Sequence, residues 1–240
     1  MSAAPPGKKP DICGEEERMS ILNDKDAKVV RERLSKLPGF VTLAIFSQEF
    51  ECEYCRKTRE LSEEVAGLSA GKIRTEVYDL VRDKAKADQM GIDKMPALAV
   101  LGGNGEDYGI RFFGIPAGYE FSSLLESFDM VAKGDSGLAP ATREKLKALT
   151  SSLNLQVFVT PTCPYCPGAV LTAFRFAMES EKVRASMVEA SEFPHLANKY
   201  QVSGVPHTVI GDSPQAMIGA YPESAAADML VAVAQGMKGI

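Results

Sequence analysis

Leu153-Asn154-Leu155-Gln156-Val157-Phe158-Val159 runs, three residues later, into Cys163-Pro164-Tyr165-Cys166. The first stretch is short, β-branched and aromatic, as a buried strand should be. Beyond the cysteines the period changes: Val170, Leu171, Phe174, Ala177 and Met178 make one apolar stripe at helical spacing. A thiol pair at the point where a strand hands over to a helix is a redox device. The free N–H groups and positive dipole end of the helix favour thiolate over thiol. Two intervening residues let both sulfurs meet within the first turn, so a disulfide can open and close with little backbone movement.

The pattern occurs twice. Phe40-Val41-Thr42-Leu43-Ala44-Ile45-Phe46 precedes Cys52-Glu53-Tyr54-Cys55, and from Cys52 to Cys163 is 111 positions. Leu61, Val65 and Leu68 then repeat the helical stripe. Amphipathic helices are expected before each first strand, over Asp24 to Leu37 and Thr142 to Leu149, with breaks at Pro38-Gly39 and Ser151-Ser152. Second strands are expected at Ile73 to Tyr78 and Ala185 to Val188, and short helices at Lys84 to Met90 and His195 to Tyr200. Met95-Pro96-Ala97-Leu98-Ala99-Val100 and Val205-Pro206-His207-Thr208-Val209-Ile210 read as strands opened by proline, which belongs at a first or edge position because it has no N–H to donate. Hairpin partners follow near Gly109 to Phe113 and Ala216 to Ala220, and closing helices at Phe121 to Ala132 and Ala225 to Met237. Each half is thus β-α-β-α-β-β-α with a leading helix, and Lys133 to Gly137 reads as the linker. Two units are expected, residues 1–134 and 135–240.

Composition narrows the class. The chain has 240 residues, 45% hydrophobic and 25% charged, and a net charge of −5, which argues against non-specific nucleic-acid binding. No apolar run approaches the ~20 residues that span a bilayer. Met1 to Ser20 carries Lys8 and Lys9 but no apolar core of a secretory signal, so a cytoplasmic location is expected. In a reducing compartment cysteine pairs are more often catalytic or metal-binding than structural. Scarce Asn and Gln fit a hot habitat while ten Met residues point the other way, and the growth temperature stays open.

Strand, Cys-x-x-Cys at a helix start, then a proline-opened strand resembles the thioredoxin fold. Cys163-Pro164-Tyr165-Cys166 is similar to the glutaredoxin tetrapeptide. The tandem arrangement, with Pro167 after the second pair, resembles the glutaredoxin-like protein disulfide oxidoreductases of thermophilic archaea and bacteria. The fold class expected is α/β, two tandem thioredoxin-fold units, each a mixed central sheet flanked by helices. The resemblance implies a cytoplasmic, protein disulfide isomerase-like enzyme that forms, reduces and isomerises disulfides in other proteins. It also implies that Pro96 and Pro206 are cis and lie against the cysteines, beside a backbone edge free to pair with substrate. Three features depart from thioredoxin itself: the chain has no Trp, Glu53-Tyr54 and Pro164-Tyr165 stand where it has Gly-Pro between the cysteines, and the upstream position of its buried Asp is taken by Phe46 and Val157.

Thiol–disulfide exchange needs an attacking thiolate and a resolving thiol. Cys52 and Cys163, nearest the helix N-termini, are read as nucleophiles; Cys55 and Cys166, one turn in and more buried, as resolving thiols. Glu49, Glu51 and Glu53 surround Cys52, partly offset by Arg56 and Lys57, whereas Thr160, Pro161, Thr162 and Pro164 surround Cys163. Carboxylates oppose a thiolate, so Cys163 is expected to have the lower pKa and its pair the stronger oxidising power. Tyr54, Tyr165, Met95 and Val205, with the two prolines, are candidates for the substrate groove, although tyrosines that simply cover the site and plain core residues remain alternatives. His207 either tunes the nearby thiol or only packs, and His195 reads as a helix-cap neighbour. Cys13 reads as a passive thiol and Glu15-Glu16-Glu17 as a solvated helix start.

Structural zinc is the competing use of four cysteines. Zinc ribbons bring two pairs together across about 15–20 residues, far less than the gap here, so no metal is expected. No bound cofactor is expected either; electrons would come from NADPH through a separate thioredoxin-reductase-type flavoenzyme. Three functions remain open: an oxidoreductase on protein thiols and disulfides, an electron carrier from such a flavoenzyme to a peroxidase, and a non-enzymatic binding module using its proline edges.

Overall fold

The computed structural model describes residues 20–48 and 52–236. The first half runs α1 (Asp24–Leu34), β1 (Val41–Ser47), α2 (Cys55–Gly67), β2 (Ile73–Asp79), α3 (Lys84–Met90), β3 (Ala97–Gly102), β4 (Asp107–Phe113) and α4 (Glu120–Lys133). The second half repeats it: α5 (Pro140–Lys147), β5 (Leu153–Val159), α6 (Cys166–Glu179), β6 (Val183–Glu189), α7 (Pro194–Lys199), β7 (His207–Ile210), β8 (Ala216–Ile218) and α8 (Glu223–Ala234). Local chemistry sets several ends. Asn23 caps α1 by accepting from the Asp26 N–H at 3.0 Å. Gly134, at φ 65°, closes α4 in the left-handed region that a side chain resists.

Within each half the first strand pairs parallel to the second and antiparallel to the third, which pairs antiparallel to the fourth. The halves then fuse. Strand β4 pairs parallel to β6, Ile110 opposite Ala185 through Phe113 opposite Val188, giving one eight-stranded sheet in the order β2-β1-β3-β4-β6-β5-β7-β8. Successive side chains alternate between two cores. Leu43, Ile45, Val100, Phe112, Val157 and Met187 pack on one face against Leu34, Val65, Phe128, Phe174 and Leu230. Ala44, Phe46, Ala99, Phe113, Phe158 and Val188 pack on the other against Ala87, Met90 and Phe193. Covered on both faces, the central strands read as nearly continuous apolar runs.

Several details differ from expectation. Phe40 is 63% exposed and lies under the Lys72 ammonium, and strand β1 starts one residue later. Pro96 and Pro206 precede their strands rather than opening them, since the ladders begin at Ala97 and His207. Helix α1 stops at Leu34, yet Leu37 stays buried in the turn that follows. Helix α8 ends at Ala234. Met237, Cys13, Glu15-Glu16-Glu17, Glu49 and Glu51 lie outside the described residues.

Candidate active site

Each cysteine pair forms a disulfide within its own motif, with Cα–Cα separations of 5.4 Å for Cys52–Cys55 and 5.5 Å for Cys163–Cys166. Helices α2 and α6 begin at Cys55 and Cys166 themselves. The second cysteine is therefore the first helical residue, one turn earlier than the sequence reading placed it, because Tyr54 and Tyr165 take the cap positions. The burial order matches expectation: Cys55 and Cys166 are fully buried, Cys163 is 8% exposed, and Cys52 is half-buried. The first cysteine of each pair is thus the more exposed one.

Met95–Pro96 and Val205–Pro206 are both cis. The Cys163 Sγ lies 3.8 Å from the Val205 carbonyl oxygen, so the segment before the second proline touches the sulfur. Both prolines are anchored alike from the end of the hairpin: the Gly114 N–H donates to the Pro96 carbonyl at 2.9 Å and the Gly219 N–H to that of Pro206 at 2.8 Å. Met95 and Val205 are half-buried, Tyr54 is half-buried, and Tyr165 is 73% exposed beside its cysteines. His207 is buried in β7, edge-on to Phe158, and burial pushes its imidazole below the usual range. His195 is an exposed residue of α7.

Phe46 and Val157 are fully buried and apolar, so neither upstream position supplies a carboxylate. The seam between halves supplies carboxyls that sequence reasoning missed. Glu120, at the start of α4, is 1% exposed; its Oε2 accepts from the Ser123 hydroxyl and its Oε1 has no partner. Burial raises its pKa to about 7 against the smaller opposing pull of Ser123. Immediately before it, the Tyr119 N–H donates to the Pro161 carbonyl at 3.0 Å, and Gly118 sits so close that a Cβ would lie 2.1 Å from that oxygen. This turn of the first half is thus pressed against the strand-to-cysteine loop of the second, two residues before Cys163. An acidic residue in a first helical turn is ordinary on solvated helices, so no local signal marked Glu120 as buried.

Because the folded-state pKa of Glu120 lies above its ordinary carboxyl value, the native state holds a proton that the unfolded chain has released. Its contribution to stability is therefore complete below the ordinary value and falls as pH rises toward about 7. The loss is bounded at roughly 3 kcal/mol. Urea unfolding of Glu120→Gln at pH 5 and pH 8 is expected to show a smaller difference between the two pH values than the parent shows; an equal difference would contradict the buried-carboxyl reading.

A mixed sheet between helices, a cysteine pair at a helix start and a cis-proline, at the second site preceded by a carbonyl that meets the sulfur, define a thioredoxin-fold thiol–disulfide oxidoreductase, here in tandem. The thioredoxin domain family matches residues 153–232. The structure of a protein disulfide oxidoreductase from Aeropyrum pernix superposes with a TM-score of 0.83 at 31% identity, over 91% of this chain and 96% of that one. The chain belongs to this family of tandem thioredoxin-fold protein disulfide oxidoreductases. The structure of the alkylhydroperoxide reductase component AhpF from Enterococcus faecalis, in a C503A mutant, gives a TM-score of 0.81 at 29% identity, over 88% of this chain and all of that one. The F component of the alkyl hydroperoxide reductase of Pseudomonas putida is 26% identical over 159 residues, 64% of this chain and 31% of that protein. The chain spans about a third of the length of the curated relatives it matches. Among the described residues no helix is long and apolar enough to cross a membrane, and no group of three or more His, Cys, Asp or Glu could hold a metal ion.

Proposed function

We propose that the chain is a cytoplasmic enzyme that oxidises, reduces and isomerises disulfides in protein substrates, with units divided at residues 134 and 135. Cys52 and Cys163 attack, and Cys55 and Cys166 resolve. In the reducing direction a thiolate displaces one sulfur of a substrate disulfide, which leaves as a thiolate and takes up a proton. The buried partner then attacks the mixed disulfide, restoring the enzyme disulfide and releasing the second substrate thiol. Tyr54, Met95 and Pro96 at the first site, with Tyr165, Val205 and Pro206 at the second, form the groove for an extended substrate. The carrying observation is the graded burial of each pair, a more exposed cysteine ahead of a fully buried one, with the Val205 carbonyl against Cys163. An extended peptide lying along that segment would bring its own sulfur to the accessible cysteine.

The insulin turbidity assay with dithiothreitol tests this. Wild type is expected to accelerate precipitation and the variant with all four active-site cysteines changed to Ser to match the uncatalysed control. Acceleration that survives the four substitutions would favour a binding module that acts without thiols.

The likeness to AhpF favours a second reading, an electron carrier between an NADPH-dependent thioredoxin-reductase-type flavoenzyme and a peroxidase. Rapid reduction by such a flavoenzyme, with slow turnover of insulin, would select it.

A further inference from the structure

The end of β6 and the loop that follows it bring two carboxyls of the second half to the turn that holds the first half's cis-proline. The Glu192 Oε1 accepts from the Ile115 N–H at 2.7 Å, and the Glu189 Oε2 accepts from the Glu192 N–H at 2.6 Å. Gly114, whose N–H holds the Pro96 carbonyl, packs so closely that a Cβ would lie 2.7 Å from the Glu189 Cβ and 2.9 Å from the Glu192 Oε1. The acidic pair is thus one residue removed from the cis-proline of the Cys52–Cys55 site. Glu189 is 3% exposed, and its Oε1 and the Glu192 Oε2 are both buried without a partner. Among the described residues no Lys, Arg or His lies within ion-pair distance of either carboxyl. Buried oxygens left unpaired call for an explanation beyond packing.

We propose that Glu189 and Glu192 of the second half are positioning residues for the first half's redox site, setting how readily Cys52 becomes a thiolate. The proposal rests on the reading of Cys52 as a nucleophile. The groups facing Glu192 are Glu189 on its own segment and, across the seam, Glu53 and Tyr54 between the cysteines, with the Ile115 backbone N–H as its donor. Burial raises the Glu192 pKa to about 7, with Glu189 and Glu53 adding to it and the Ile115 N–H opposing. The carboxyl therefore gains its charge near neutral pH. Once charged it opposes a thiolate nearby and makes Cys52 harder to ionise. The second site's own flanks carry Thr160, Pro161, Thr162 and Pro164, and the turn before Glu120 of the first half presses on the loop that leads to it.

The test uses full-length reduced protein carrying Cys163→Ser and Cys166→Ser. Alkylation by iodoacetamide is followed from pH 5 to 10, with Cys52 and Cys55 peptides quantified separately by mass spectrometry. In the parent the Cys52 profile is expected to depart from a single titration near neutral pH, because two coupled groups ionise. In Glu192→Gln the departure should vanish and the Cys52 midpoint fall by about half a pH unit or more; Glu189→Gln should lower it as well. A single-step Cys52 profile in the parent, or profiles that superimpose across all three proteins, overturns the proposal. If instead Cys55 is the cysteine with the low midpoint in the parent, the nucleophile assignment itself has failed, and the proposal falls with it for that separate and visible reason.

Discussion

Titrated separately against a dithiothreitol redox buffer, the Cys163–Cys166 disulfide is expected to be more oxidising than Cys52–Cys55 by about 30 mV or more, a tenfold difference in equilibrium constant. Each titration uses the variant in which the other pair is Ser. The helix N-terminus acts alike on both sites, since α2 and α6 each begin at the second cysteine, so it cancels from the comparison. What differs is the surrounding charge. Glu53 lies within the first motif, and Glu189 and Glu192 face it from the other half. The second motif has Pro164 in the place of Glu53. A carboxylate opposes the thiolate of the reduced form, and a less stable reduced form makes a weaker oxidant. Equal potentials would show that this charge difference is screened by solvent at the sulfurs, and the reverse order would show that surrounding charge does not set the difference.

The largest stability effect is expected from Phe174→Ala. Phe174 of α6 meets Phe112 of β4 edge-on, with ring centroids 5.0 Å apart, and both are fully buried. The two rings belong to different halves, so this contact lies in the core that the halves share. Truncating a buried Phe removes its transfer free energy and leaves a cavity, together about 3–5 kcal/mol. In urea the midpoint should fall with the slope unchanged, since the same surface is exposed on unfolding. A loss below about 1 kcal/mol would mean that the seam relaxes around the vacancy; a changed slope would mean that the halves unfold separately.

These two expectations draw on different kinds of information. The charge around the first motif was partly legible in the chain, because Glu53 is adjacent to Cys52 in sequence. The Phe112–Phe174 contact was not: both residues scan as core, but nothing local says that they meet. The same split runs through the site. The two cysteine pairs were read from spacing and strand context, as each lies within a few residues of the element that positions it, whereas the placing of both prolines beside them came from the family resemblance. Glu120, Glu189 and Glu192 were not, since an acidic residue near a strand end or a helix start is ordinarily solvated and is buried here only by a segment distant in sequence.

The duplication, the order of strands and helices in each half, and the placement of a thiol pair at each strand-to-helix junction were legible in the chain alone. Period, proline and cysteine spacing are local properties, and local properties survive in a one-dimensional pattern. The joining of the repeats through β4 and β6 into one sheet, the pressing of the turn before Glu120 on the loop before Cys163, and the packing of Glu189 and Glu192 on the turn beside Pro96 arise only in three dimensions. The apolar runs of β4 and β6 advertise that each strand needs cover but not which strand it will take as a neighbour. Pairing is settled by which arrangement satisfies both backbones and buries both faces at once, and that is a property of the whole molecule.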